Sequence, residues 1–195
     1  QAILEEEYDL QGIRGYVNPE KYNDQSEYDE ADYIVIPSSF VKRTFIDAGY
    51  DSERLIVEPY GVDLAEFPFK PIAHKPFRFI YVGAMSFRKG VHYLLKAFSE
   101  LKLKGAELWL VGGMHDEIKP VFKKYEGVFR YIGSQNQSDL WKYYNQCDAF
   151  CICSVEEGMA MVQMQAMACG LPIICTTNTG GEDLCVEGES GYVLP

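Results

Sequence analysis

The sequence predicts an α/β fold, a parallel sheet with helices on both faces, because short apolar runs alternate with helical segments from residue 77 onward. Apolar runs of strand length fall at residues 77–83, 107–112, 128–132, 148–153 and 172–176. Helical segments fall between them at residues 90–103, 115–125, 137–146 and 159–169. Ligands of such sheets bind beyond the carboxyl ends of the strands, so chemistry is expected in the loops that follow strands.

A second unit is predicted before this sheet. Tyr33 to Ile36 has the composition of a buried strand, and residues 40–48 form a helix that begins after the hydroxyl-rich turn Pro37-Ser38-Ser39 and ends at Gly49. Another apolar run follows at residues 55–57. Residues 1–31 are acidic and rich in Tyr and are expected to form surface helices, and the Pro-rich residues 59–76 are expected to be an interdomain linker.

Composition excludes several classes of protein. The 195 residues carry a formal net charge of −11 with scattered basic residues, which argues against nucleic-acid binding and against a polybasic contact with lipid. No apolar run approaches the roughly 20 residues that span a bilayer, and the N-terminus is unlike a signal peptide, so a cytoplasmic location is expected. Membrane association of the parent protein is not indicated.

The six cysteines all lie in the last quarter of the chain, mostly in apolar runs, and are expected to be reduced core thiols. A metal site at Cys147, Cys151 and Cys153 is disfavoured, since no CxxC motif or neighbouring His supports it. His74 and His92, like His115, stand apart from any triad-like arrangement and are expected to be surface or packing residues, so a hydrolase triad is not supported.

The first distinctive loop is Gly83 to Gly90, which follows a strand and precedes a helix. Its basic pair, Arg88 and Lys89, stands at a helix N-terminus, where about half a positive charge already resides. An anionic ligand such as a diphosphate would make that placement favourable. The alternative is that both are solvated loop charges, and the glycines do not match a dinucleotide fingerprint.

The second distinctive loop is Ser154 to Gly158, which precedes a Met-rich helix that is apolar almost all round and is therefore expected to be buried. Gly158 permits close approach of a ligand, the N–H groups of residues 159–161 would point at it, and Glu157 could accept bonds from hydroxyl groups. A sugar linked to a diphosphate fits these features together. The alternative is that Glu157 only complements the helix dipole and the helix is ordinary core.

These segments resemble, in order, those of the group 1 glycosyltransferases, family 4 of the retaining enzymes with the GT-B fold. The resemblance covers roughly residues 30–195 and rests on Ala31 to Ser38, Pro59 to Asp63, Tyr81 to Gly83 with Arg88 to Gly90, Glu157-Gly158, Gln165 to Ile174, and Thr179 to Leu184. The Glu-Gly loop together with the Ala-Met-Ala-x-Gly-x-Pro run is the most specific part.

The resemblance implies that residues 77–195 are the Rossmann-like, nucleotide-sugar-binding domain, truncated at its C-terminus. Residues 1–58 would be the end of the N-terminal acceptor domain and residues 59–76 the linker. The implied activity is retaining, metal-independent sugar transfer of the hexosyltransferase type, from a UDP- or GDP-linked donor to a glycan, lipid or small-molecule acceptor in carbohydrate biosynthesis. The donor is a substrate, and no cofactor is implied.

The resemblance also implies roles for individual residues. Arg88 and Lys89 would neutralise the departing diphosphate, and Glu157 would contact hydroxyl groups of the donor sugar. Further donor-binding positions are Gly83, Gly133, Gly158, Met159, Ala160, Met161 and Gln165, with Gly133 placed near the nucleobase. No Asp-x-Asp motif is present, which agrees with a site without metal.

Two positions depart from the family pattern. Gln165 stands where the second acid of the Glu-x7-Glu motif is expected, so ribose recognition would take an altered form. Ala84 stands where an arginine is frequent, and Arg88 would take that role. The alternatives are therefore a non-catalytic member that binds nucleotide sugar, or an epimerase or phosphorylase of the same fold, and the isolated chain is expected to be inactive.

Overall fold

A computed structural model describes residues 2–13 and 25–195. The helices are α1 (Ala2–Leu10), α2 (Ser26–Glu30), α3 (Ser39–Asp47), α4 (Val91–Leu101), α5 (Lys119–Lys124), α6 (Leu140–Tyr144) and α7 (Met161–Ala168). The strands are β1 (Ile34–Ile36), β2 (Leu55–Val57), β3 (Phe77–Val82), β4 (Ala106–Val111), β5 (Arg130–Gly133), β6 (Ala149–Ile152), β7 (Ile173–Thr176) and β8 (Gly191–Leu194).

Six strands form one parallel sheet in the order β5-β4-β3-β6-β7-β8. All four residues of β6 are buried, which is why this run is continuously apolar. Phe79 of β3 pairs with Ala149 of β6 at the middle of the sheet. The predicted α/β fold is confirmed.

The structure differs from the predicted elements in four main places. The segment 137–146 divides into a 3-10 turn, Gln137–Asp139, and α6. The segment 159–169 begins its helix only at Met161, because Ala160 has an extended backbone, with φ −79° and ψ 109°. The segment 115–125 divides into a 3-10 turn, Asp116–Ile118, and α5, which has Pro120 in its first turn. Strand β8 was not predicted, and it pairs with β7 at the edge of the sheet.

Strands β1 and β2 form a separate parallel pair. The Ser38 hydroxyl caps α3 by accepting a hydrogen bond from Val41 N at 3.2 Å, as the hydroxyl-rich turn predicted. The connecting residues 58–76 contain no helix or strand. They are held to the main sheet's helices through Asn145, whose side-chain amide donates to Pro68 O at 2.9 Å and accepts from Lys70 N at 2.5 Å.

Helix α1 lies at the surface, as predicted, but it has one buried face that its acidic composition did not predict. Glu7 and Tyr8 are only 5% and 2% exposed, and Tyr8 belongs to the core cluster of the six-stranded sheet. Long-range contacts therefore overrode the local charge pattern. Within residues 2–13 and 25–195 no helix is both long and apolar enough to cross a bilayer.

Candidate functional site

The centre of the main sheet contains a topological switch point. Strands β3 and β6 are neighbours, but the chain leaves β3 towards β4 on one side and leaves β6 towards β7 on the other. The loops that follow β3 and β6 therefore diverge and leave a crevice, the place where open α/β sheets bind ligands. A pocket of about 210 Å³ lies there. Its walls are Tyr81, Val82, Gly83, Ala84, Lys89, Ile152, Glu157, Ala160, Met161 and Val162.

The loop after β3 is held close to the sheet. Met85 N donates to Gly113 O at 2.7 Å. Gly90, the residue before α4, has a left-handed backbone with φ +64°. A Cβ atom at Gly90 would overlap the carbonyl oxygen of Cys153, so only glycine fits where the first loop crosses the end of β6.

Lys89 reaches into the pocket and contacts the carboxylate of Glu157. Its side chain is 18% exposed. Burial, assisted by the neighbouring Arg88 charge and opposed by Glu156, lowers the pKa of Lys89 from its ordinary value of 10.5 to about 8. The ammonium group is thus charged at neutral pH and loses its proton in mildly alkaline solution.

Arg88 connects the two loops. Its guanidinium donates to the carbonyl oxygen of Glu156 at 3.3 Å and to the carboxylate of the same residue at 3.1 Å. The carbonyl oxygen of Arg88 in turn accepts from Val155 N at 2.9 Å. Glu156 was not among the predicted site residues, although its position beside Glu157 was a visible signal. Arg88 is therefore paired with Glu156, and Lys89 is paired with Glu157.

The loop that carries Glu157 and Gly158 is fixed from two directions. Glu157 N donates to Asn178 O at 2.9 Å, and the Asn178 side chain donates to Val155 O at 2.9 Å. From the other side, the Ser38 hydroxyl donates to Gly158 O at 2.5 Å. The β1-α3 turn and the loop after β7 thus hold the same segment.

The N–H groups expected to face a ligand here are not all free. Ala160 N donates to Thr179 O at 3.4 Å, so this donor has a partner within the protein. Helix α7 begins at Met161, and the N–H groups of a helix's first turn have no partner within the helix. Met161 lines the pocket, and it places the start of α7 at the crevice.

Both glutamines of α7 are buried. Gln163 donates through its side chain to Thr179 O at 2.9 Å, which joins α7 to the loop after β7. Gln165 accepts from the hydroxyl of Tyr144 at 3.4 Å. The amide at the position of the second motif acid thus has a partner on α6.

Glycines mark the carboxyl ends of three adjacent strands, β3, β4 and β5. Gly112 has a φ of +143°, and a Cβ atom there would overlap the carbonyl oxygen of Gly83. Gly112 N donates to Gly133 O at 2.9 Å, and the Ser134 hydroxyl lies beside Gly113. The glycines let the ends of these strands approach each other closely, and the Gly112-Gly113 pair was not predicted. Contact of Gly133 with a nucleobase stays a prediction.

The pocket brings together half of the predicted site residues. Those that line it are Gly83, Lys89, Glu157, Ala160 and Met161, whereas Arg88, Gly133, Gly158, Met159 and Gln165 lie outside its lining. In the part of the chain that the structure describes, no group of three His, Cys, Asp or Glu side chains could hold a metal ion. The six cysteines are free thiols, and burial raises their pKa values.

Several curated relatives are named as glycosyltransferases of exopolysaccharide or capsule biosynthesis. The putative colanic acid biosynthesis glycosyltransferase WcaL of Salmonella typhimurium is 25% identical over 161 residues, which are 75% of this chain and 40% of the relative. The capsular polysaccharide biosynthesis glycosyltransferase CapM of Staphylococcus aureus is 29% identical over 119 residues, 58% of this chain and 31% of the relative. The chain thus spans less than half the length of these relatives.

Solved structures share the fold at low identity. The Anabaena protein HepE, in complex with UDP and glucose, matches with a TM-score of 0.70 and 19% identity over 84% of this chain and 49% of its own. Sucrose-phosphate synthase from Thermosynechococcus elongatus matches with a TM-score of 0.73 and 21% identity over 92% of this chain and 51% of its own. Both likenesses support the Rossmann-like α/β sheet expected of the GT-B fold.

Residues 63–195, about two thirds of the chain, match the family of glycosyl transferases group 1. The switch-point pocket, with its basic loop after β3 and its Glu-Gly loop after β6, lies wholly within this match. The chain belongs to the group 1 glycosyltransferases.

Proposed function

We propose that this chain is the donor-binding part of a retaining glycosyltransferase that transfers a sugar from a nucleotide-diphosphate sugar to an acceptor. The observation that carries the proposal is the meeting of Lys89 and Glu157 in one pocket at the switch point. A cation and a carboxylate at that place suit a ligand with a diphosphate at one end and sugar hydroxyl groups at the other.

In this proposal the ion pairs of the free site rearrange when the donor binds. Lys89 contacts Glu157, and Arg88 contacts Glu156. A diphosphate that takes Lys89 as its counter-ion releases Glu157, whose oxygens then accept hydrogen bonds from the sugar. The two cations stabilise the negative charge that develops on the leaving diphosphate. The same positive charge supports transfer without a metal ion.

UDP is the nucleotide we propose first. The fold neighbour HepE has been solved with UDP and with UDP-glucose. One relative, from Streptococcus gordonii, carries the name UDP-N-acetylglucosamine–peptide N-acetylglucosaminyltransferase GtfA subunit and is 24% identical over 176 residues. GDP is the second choice, and the hexosyltransferase type rests on the same comparisons.

The proposed domain boundaries follow the two sheets. Residues 77–195 contain the six-stranded sheet and would bind the donor. Residues 59–76 would be the linker. Residues 1–58 contain the two-stranded sheet and would be the end of the acceptor domain. The acceptor, a glycan, lipid or small molecule, would approach the crevice from that second domain.

Calorimetric titration with UDP, GDP and ADP, with and without magnesium, tests the proposal. We expect one nucleotide to bind without magnesium and to bind at least tenfold more weakly to the Arg88→Ala, Lys89→Ala double variant. The control is Lys123→Ala with Lys124→Ala on α5, which removes the same charge from an exposed helix end outside the pocket. Binding that requires magnesium, or that weakens equally in both double variants, would contradict it.

A second candidate is a non-catalytic member that binds nucleotide sugar. It is favoured by Gln165, a neutral amide at an acid position, whose partner is Tyr144 within the core. This candidate would be favoured over the transferase if the parent protein binds the donor without turnover and the Gln165→Glu substitution gives no turnover either.

A further inference from the structure

Glu7 of α1 is a buried acid that contacts the first turn of α4. Its carboxylate accepts from the Tyr93 hydroxyl at 2.7 Å and from the Gln11 side chain at 3.1 Å. His92 Nε2 lies 2.8 Å from the same carboxylate, although its ring nitrogens make no hydrogen bond with the residues that the structure describes. These contacts hold the segment just after the Arg88-Lys89 pair.

Tyr8, the next residue of α1, contacts the segment just before that pair. Its hydroxyl donates to a Glu117 carboxylate oxygen at 3.0 Å, and the same oxygen accepts from Phe87 N at 3.2 Å. The Tyr8 and Phe87 rings pack edge to face with centroids 6.0 Å apart. Through Glu117, one side chain of α1 is thus connected to the backbone that immediately precedes Arg88.

We propose that α1 positions the basic loop, residues 85–90, by anchoring both of its flanks through Glu7 and Tyr8, and thereby sets the affinity of the diphosphate site. This inference rests on the proposed function for the nature of the ligand. Glu7 and Tyr8 do not line the pocket, so they act as positioning residues and not as catalytic ones.

The electrostatics of the cluster favour a fixed arrangement. A buried carboxylate is costly unless donors surround it, and Glu7 has Tyr93 and Gln11 as donors. Burial and the hydrogen bond to Glu7 raise the pKa of Tyr93 to about 12, so its hydroxyl remains a donor. Burial lowers the pKa of His92, with Glu7 opposing the change. Removing Glu7 would leave the Tyr93 hydroxyl without this acceptor.

The matched control lies on the same helix. Glu6 carries the same charge as Glu7 but is exposed. The test set is Glu7→Ala, the conservative Glu7→Gln, Tyr8→Phe and the control Glu6→Ala. Tyr8→Phe keeps the ring contact and removes only the hydroxyl, so it reports the bond to Glu117 without opening a cavity.

The first readout is hydrogen exchange of residues 85–93 in the free, full chain. Loss of one buried hydrogen-bond partner should speed exchange in this segment about five- to tenfold in Glu7→Ala and Tyr8→Phe. Glu7→Gln, which still accepts from Tyr93, should recover most of the protection, and Glu6→Ala should match the parent chain. A uniform rise in exchange over the whole sheet would mean a general loss of stability and would overturn the proposal.

The second readout is a double-mutant cycle with UDP. Glu7→Ala should weaken UDP binding about fivefold when Lys89 is present and less than twofold when Lys89→Ala is already in place. Equal weakening in both backgrounds, or unchanged exchange at residues 85–93, would overturn the positioning role. If the parent chain binds no nucleoside diphosphate, the proposed function fails on its own, and the exchange result still decides whether α1 anchors the loop.

Discussion

The charge state of Lys89 should couple nucleotide binding to pH. Burial holds its pKa at about 8 in the free protein. A diphosphate at contact distance favours the charged form and would bring the pKa back to its ordinary value of 10.5. Binding should therefore take up about 0.1 proton at pH 7, about half a proton at pH 8 and about 0.9 proton at pH 9.

The same coupling sets the direction of the affinity change. Because the free ammonium group loses its proton as pH rises through 8, the dissociation constant should rise with pH. Between pH 7 and pH 9 the increase due to Lys89 is about tenfold, or about 1.4 kcal/mol. The terminal phosphate of UDP also titrates, and Lys89→Arg keeps a cation beside it, so the contribution of the phosphate should be similar in the parent chain and in that variant.

Calorimetry with UDP in two buffers of different ionisation enthalpy measures the proton uptake. The control is Lys89→Arg, which keeps the positive charge at every pH in this range. We expect the uptake at pH 8 to disappear in that variant while UDP still binds. Absence of uptake by the parent chain at pH 8, or the same uptake in Lys89→Arg, would refute the proposed coupling between protonation of Lys89 and binding of the diphosphate.

Three further results are expected. Glu157→Ala should weaken UDP-sugar binding relative to UDP binding by about fivefold or more, because the carboxylate is assigned to sugar hydroxyl groups and its removal also frees Lys89 for the diphosphate; equal losses in calorimetric titration would contradict that role. Gly90→Ala should lower the free energy of unfolding by more than the about 1–2 kcal/mol expected from a left-handed backbone alone. Gly105→Ala, where φ is +73° and the space is open, should show only that smaller loss in urea denaturation. Because burial raises the pKa of Cys153 to about 12, iodoacetamide at pH 8 should alkylate it much more slowly in the folded protein than in urea, and equal rates would contradict its burial.

The sequence predicted the four inner strands of the sheet well because they are largely buried and read as apolar runs. The edge strand β5 was also predicted, although none of its four residues is fully buried. The sixth strand, Gly191–Leu194, lies at the other edge with two of its four residues exposed and was not predicted. Helix ends were less accurate, as at Ala160, because the start of α7 depends on contacts with the distant loop after β7.

The site was predicted in part for the same physical reason. Lys89 and Glu157 each lie in a loop that follows a strand, and the rule that ligands bind at the carboxyl ends of strands was sufficient to bring them together. The partners Glu156 and Glu117 were not predicted, since the sequence of a loop or a 3-10 turn does not specify which cation or N–H group its acidic residue will contact. Burial of Glu7 depends on Tyr93, 86 positions away, and no local pattern could reveal it.

The most direct test of the central claim is a crystal structure of this chain with UDP bound in the absence of magnesium. We expect the diphosphate in the pocket between β3 and β6, with an oxygen within hydrogen-bonding distance of Lys89 Nζ and the contact between Lys89 and Glu157 opened. UDP bound elsewhere on the chain, or bound in the pocket with that ion pair intact, would contradict the account.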